Sequence, residues 1–172
     1  WKKSGPTTWN HGAYDPELNI VYWGTSNPWP DYNGDFRTGD NLYSCSFLAV
    51  DVDTGELNSH FQVVPGDEWD FDSVQHLILA DLPIGGRTRK VIMQANKDAV
   101  FYVIDRGTGQ FISAGPFSQA TWASGLDPKT GRPIVNKEAY YGTAATLITP
   151  GGGGAHNWSP MSFNPMTGLT YV

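Results

Sequence analysis

AVDVDTG at residues 49–55, VIDRGTG at 103–109 and FNPMTG at 163–168 decide how this chain is read. Each joins a β-prone run to an Asp or Asn and then to a Thr-Gly turn, in which the acidic or amide side chain caps nearby amides and glycine supplies a positive φ. The Asp or Asn positions are 51, 105 and 164, at intervals of 54 and 59 residues, close to the length of one four-stranded propeller blade with its loops. D-x-x-T-G is also a common hairpin turn in its own right, so it is the recurrence at this interval that speaks for a repeat. A related turn, AYDPELN at 13–19, places Asp15, while GLDPKTG at 125–131 reads as a decoration on a long loop.

Outward from these turns, short β-prone runs recur: NIVYWG at 19–24, SFLAVDVD at 46–53, HFQVV at 60–64, KVIMQA at 90–95, VFYVIDR at 100–106 and LTYV at 169–172. All are bounded by turn residues, and no stretch keeps a helical apolar period over three turns, so helix should be scarce. About three repeat units fit in 172 residues, whereas a propeller must close its ring to hide its edge strands. The expectation is an all-β chain forming a partial β-propeller of about three four-stranded blades, a single domain over residues 1–172. LTYV at the end looks cut in mid-strand. The start, WKKSGPTTWN, lacks both Met and the apolar core of a signal peptide, which reads as processing or truncation.

Composition agrees with an all-β chain. Twenty Gly, 12 Pro, 7 Trp, 8 Tyr and 8 Phe accompany only 16% charged residues. A net charge of −6 without any basic run argues against nucleic acid as a partner, and no apolar stretch approaches the roughly 18 residues of a membrane helix. One cysteine, Cys45, rules out an internal disulfide, a thiolate zinc cluster and a CxxCH haem attachment within these residues. The four His have neither HxxxH nor HEXXH spacing, no G-x-S-x-G elbow is present, and the GGGG at 151–154 has no GK[ST] sequel and reads as a flexible loop.

EWDFD at 68–72 is the first candidate site. Asp70 and Asp72, two apart, would share one face of an extended strand, where two carboxylates repel unless a cation or proton lies between them. A hard metal with oxygen ligands answers that need, and Asn27 in WGTSNP would add an amide oxygen; an acidic surface loop is the plainer alternative. Trp9, and Trp158 in GAHNWSP, would suit a planar polar cofactor, although tryptophans in propellers usually pack between blades. Lys97, a charge within a strongly β-prone region, needs a partner if its head is buried and none on an exposed turn.

Taken together, TTWNHGAYDPELNIVYWGTSNP, GDNLYSCSFLAVDVDTGEL, HFQVVPGDEWDFDSVQ, KVIMQANKDAVFYVIDRGTGQF, WASGLD and GAHNWSPMSFNPMTGLTYV follow one another as in the pyrroloquinoline quinone (PQQ) dependent methanol and ethanol dehydrogenases, which the chain resembles over nearly its whole length. The resemblance implies the middle third of an eight-bladed propeller. It implies Trp9 as the floor under the quinone ring and Thr7 as a nearby hydrogen-bonding group. Asn27 would be a metal ligand, Asp70 the general base lying against the metal, Lys97 a contact to the quinone oxygens, and Asn157 with Trp158 a further cofactor contact. Asp72 resembles the additional carboxylate of lanthanide-dependent members, which ranks a lanthanide(III) ion above Ca2+. The implied activity is oxidation of a primary alcohol to the aldehyde in the periplasm, with electrons passed to a cytochrome c; a PQQ-dependent sugar dehydrogenase and a non-catalytic propeller scaffold are the alternatives. Ser26 stands where a glycine is usual and puts the turn before Asn27 in question. Ser59 and Ser113 stand where a blade-docking Trp is usual, so weaker docking is expected. The family's glutamate ligand and adjacent-cysteine disulfide fall upstream of these residues, and the isolated 172 residues are expected to be inactive.

Overall fold

The computed structural model describes residues 5–172. Strands β1 (Ala13–Asp15), β2 (Ile20–Gly24), β3 (Ser46–Asp51) and β4 (Leu57–Gln62) form one antiparallel sheet in chain order. Strands β5 (Ile78–Ile84), β6 (Arg87–Ala95), β7 (Val100–Asp105) and β8 (Phe111–Pro116) form a second. Two hairpins follow, β9 (Ala123–Leu126) with β10 (Pro133–Val135) and β11 (Ser162–Asn164) with β12 (Leu169–Tyr171), separated in sequence by a 3-10 turn at Lys137–Ala139. The chain is therefore an all-β partial propeller, and the expected arc consists of two complete blades and two further hairpins.

Turn chemistry is shared between the units. Asp51 Oδ1 accepts from the amides of Asp53 and Thr54 and from the Thr54 hydroxyl, at 3.0, 2.8 and 3.0 Å. Asp105 does the same with Gly107 and Thr108, and Asp127 with Lys129 and Thr130. Three carboxylates thus satisfy the amides of three tight hairpins. GLDPKTG, expected to decorate a long loop, instead makes the turn of the β9–β10 hairpin. Position 164, however, is not equivalent to 51 and 105. Those two close the hairpin between third and fourth strands of a blade, whereas Asn164 closes β11–β12 and resembles Asp15 between β1 and β2, each followed by proline. The 54-residue interval measures a blade; the 59-residue one joins unlike turns.

The blades pack face to face through large side chains. Phe61 of β4 lies against Tyr102 and Phe111, with ring centroids 5.9 and 6.0 Å apart, and Tyr22, Phe47 and Ile104 are buried beside them. Each such side chain contributes roughly 1.5–3 kcal/mol through burial. Ser59, in place of a docking tryptophan, still meets the next blade: a Cβ on Gly109 would stand 2.9 Å from the Ser59 Cβ and Oγ. Serine leaves the turn backbone of the next blade in close contact at this point. At the blade junction the Arg106 guanidinium bonds Asp15 of β1 at 2.6 Å and the Ala80 carbonyl and Asp81 of β5 at 2.8 and 2.7 Å. Lys90 of β6 pairs with Glu17 across the same seam.

Candidate active site

The loop between β4 and β5 carries Asp70 and Asp72, but not as an extended strand. Asp70 has φ +66°, in the left-handed region that costs a non-glycine residue strain, so simple alternation along a strand does not apply here. Buried Asp67 shapes the turn: its Oδ1 accepts the amides of Trp69 and Phe71, at 3.2 and 3.1 Å, on either side of Asp70. Burial pushes the Asp67 carboxyl up to about 7 despite those two donors. Trp69 and Phe71 point into the core, and Trp69 Nε1 donates to the Ala139 carbonyl. Two anchored aromatics thus hold the two carboxylates at the surface of the core.

Both carboxylates meet Lys97, which sits in the turn between β6 and β7 with its side chain only 4% exposed. Its Nζ lies 2.8 Å from Asp72 Oδ1 and 3.4 Å from Asp70 Oδ1. The partner that a buried lysine requires is therefore a pair of acids. Asp72 Oδ1 is buried, and the Lys97 ammonium is the cation beside it. Asp72 Oδ2 accepts Trp9 Nε1 at 2.8 Å, which brings the half-exposed indole to the same cluster. Burial raises the proton affinity of Asp70, Lys97 lowers it in part, and the Asp72 charge raises it again.

Thr7 and Asn27 enter through the first blade. Ser26 N donates to the Thr7 carbonyl at 2.9 Å, the Thr7 amide donates to Ser26 Oγ at 2.7 Å, and the two hydroxyls are 3.2 Å apart. Ser26 therefore does not disturb the turn before Asn27. Its hydroxyl ties down the segment that carries Trp9, a role that a lone Ser in a Gly-rich turn did not signal. Ser73 N bonds the Thr25 carbonyl at 2.9 Å, placing the Asn27 turn against the residue after Asp72. Asn27 Nδ2 donates to the Pro28 carbonyl at 3.3 Å, and its oxygen has no partner among the described residues.

The four-glycine run is packed against the site. Ala155 N donates to the Lys97 carbonyl at 2.9 Å and His156 Nδ1 lies 2.8 Å from the Ala95 carbonyl. A Cβ on Gly154 would fall 2.5 Å from Lys97 Cγ, so this glycine serves close approach. This staple brings Asn157 to the neighbourhood of Lys97; its Nδ2 donates to the Gly153 carbonyl, and its buried Oδ1 has no partner. Trp158 is 68% exposed and joins no hydrogen bond of the cluster. Sequence reasoning passed over Tyr32, whose hydroxyl donates to Asp70 Oδ2 at 3.3 Å, and Asp67, whose place two residues before a buried Trp is the pattern of an amide-capping turn.

Two carboxylates and the unpartnered amide oxygen of Asn157, with one ammonium and one half-exposed indole, are oxygen-rich chemistry that suits a hard cation and a flat, polar cofactor. Among the described residues no three His, Cys, Asp or Glu side chains gather to hold a metal by themselves.

A family model described as the β-propeller domain of PQQ glucose/ethanol/alcohol dehydrogenases matches residues 1–115, and the chain belongs to that family. It is 50% identical over 173 residues to quinohemoprotein alcohol dehydrogenase ADH-IIG of Pseudomonas putida, covering 98% of this chain and 24% of that protein. The solved quinohemoprotein alcohol dehydrogenase of Comamonas testosteroni superposes with a TM-score of 0.93 at 48% identity, over 98% of this chain and 25% of that one. A europium-containing methanol dehydrogenase gives 0.95 at 38% identity, over 100% of this chain and 30% of that one. The chain thus spans about a quarter of the length of the curated relatives it matches.

Proposed function

We propose that these residues are a section of a PQQ-dependent dehydrogenase that oxidises a primary alcohol to its aldehyde. The convergence of Trp9, Asp70, Asp72 and Lys97, drawn from three separate segments, is the observation that carries this reading. When bound, the quinone is the two-electron acceptor and the cation withdraws electron density from it. Asp70 takes the hydroxyl proton of the alcohol, a task for which its raised proton affinity suits it. Lys97 balances charge that develops beside it, Trp9 offers a flat apolar floor, and Thr7, Asn157 and Trp158 border the cofactor. Asn27, Asp70 and Asp72 would hold the metal.

A second carboxylate beside Asp70 favours a trivalent ion, so Asp72 and the likeness to a europium-containing enzyme support a lanthanide over Ca2+. Cytochrome c as electron acceptor, a periplasmic location and residues 1–172 as a single partial β-propeller domain belong to the same proposal. No helix among the described residues is long and apolar enough to cross a membrane.

Dye-linked turnover of the full-length protein, loaded with PQQ and either La3+ or Ca2+ and offered primary alcohols or aldoses, tests it. Alcohol turnover that is lost in Asp70→Asn is expected, with Asp72→Ala reducing La3+-supported activity far more than Ca2+-supported activity. Aldose preference would favour a sugar dehydrogenase, which the family description also covers. Equal losses with both ions would remove the lanthanide assignment, and failure to bind PQQ would leave a scaffold.

A further inference from the structure

We propose that Tyr32 is a positioning residue for Asp70, and that position 152 is glycine because the Tyr32 phenol occupies the space of a side chain there. The inference rests on the reading of Asp70 as the base and adds to it. Asp70 sits on a strained backbone, and its carboxylate is handled at both oxygens: Lys97 Nζ stands 3.4 Å from Oδ1, and the Tyr32 hydroxyl donates to Oδ2 at 3.3 Å. A base must be aimed within a few tenths of an ångström to act well. A phenol can aim a carboxylate without adding charge, whereas a second cation would also compete for the proton.

Tyr32 is itself held. Its ring meets Tyr141 edge-on at 6.1 Å, and Tyr141 follows a segment fixed by Tyr140 against Trp69 at 5.3 Å and by the Trp69–Ala139 hydrogen bond at 2.8 Å. The same Trp69 neighbours Asp70 in sequence, so phenol and carboxylate share one anchor. Gly152 completes the arrangement from a third loop. A Cβ there would stand 2.7 Å from the Tyr32 hydroxyl oxygen but 3.4 Å from Asp70 Oδ2, an ordinary contact. Alanine at 152 therefore displaces the phenol and leaves the carboxylate in place. The backbone of Gly152 lies outside the left-handed region, so that substitution carries no conformational strain of its own.

The test compares Tyr32→Phe, Gly152→Ala and the double variant in the PQQ- and metal-loaded full-length protein. Each single change should lower kcat for a primary alcohol about tenfold, the worth of one hydrogen bond to a charged group, with KM little changed. The double variant should be no slower than the slower single one, because both act through one contact. Independently of turnover, 3-fluorotyrosine at position 32 should give a 19F resonance that moves in Gly152→Ala and in Asp70→Asn. An unchanged kcat in Tyr32→Phe, multiplied losses in the double variant, or a resonance indifferent to Asp70→Asn would each overturn the role of Tyr32. Absence of alcohol oxidation by the unsubstituted protein would instead overturn the function proposed above.

Discussion

Replacing Lys97 with methionine removes a cation from a nearly dry site while keeping the shape of its stem. What remains is Asp72, its side chain 3% exposed, and Asp70, 27% exposed, with no ammonium between them. Breaking a buried ion pair by removing one partner costs about 3–5 kcal/mol, most of it from the stranded charge. The loss should reach the upper part of that range, because two acids lose the same partner. Trp9 Nε1 at 2.8 Å from Asp72 Oδ2 tempers it only slightly, being a neutral donor. Urea unfolding of the metal-free full-length protein is the assay, with amide hydrogen exchange across residues 90–100 as a local check. Adding Asp72→Asn to Lys97→Met should recover most of the loss by removing the stranded charge, and a bound metal ion should recover part of it. A Lys97→Met protein within about 0.5 kcal/mol of the parent would refute the reasoning, as would an Asp72→Asn change that deepens the loss.

Two further outcomes concern the acid that follows Lys97 and a pair of turn glycines. Asp98 is buried beneath the Tyr102 hydroxyl, 2.6 Å away, and burial lifts its carboxyl to about 7. The folded chain then binds this proton more tightly than the unfolded chain, whose value is about 3.9. Its contribution is full below about pH 4 and is lost as pH climbs through about 7, so Tm should fall between about pH 4 and 7 and Asp98→Asn should flatten part of that fall. Gly55 and Gly131 both have φ +73°, yet a Cβ at 55 meets nothing within 4 Å, while at 131 it would stand 2.4 Å from a Phe111 ring carbon. Gly55→Ala should cost about 1 kcal/mol and Gly131→Ala about 1–3 kcal/mol more, by urea unfolding; equal losses would mean that the β9–β10 hairpin does not press on Phe111.

The strands most legible in the sequence are the most buried. IVYWG, SFLAVD and the apolar halves of β6 and β7 announce themselves because β-branched and aromatic residues crowd positions that face the core. β5, ILADLPI, does not, since Asp81 and Pro83 interrupt it and it is nowhere fully buried. β8 is rich in small residues, and β9 to β11 are too short to display a period. At the site, Asp70, Asp72 and Lys97 stood out as charges in apolar surroundings, and the two acids do share one side, but not on the extended strand their spacing suggested. A turn capped by Asp67, with Asp70 at positive φ, brings both to one lysine. Tyr32, Ser26 and Gly152 carried no local signal, because each matters through a neighbour more than 15 residues away.

Arg106 grips Asp15 on one sheet and Ala80 with Asp81 on the other. Trp9 travels with the first of those sheets and Lys97 with the second. The guanidinium is thus a rivet between the two sheets, and Trp9 and Lys97 meet on the two oxygens of Asp72. Loosening the rivet should be felt where those two groups meet, with neither of them altered.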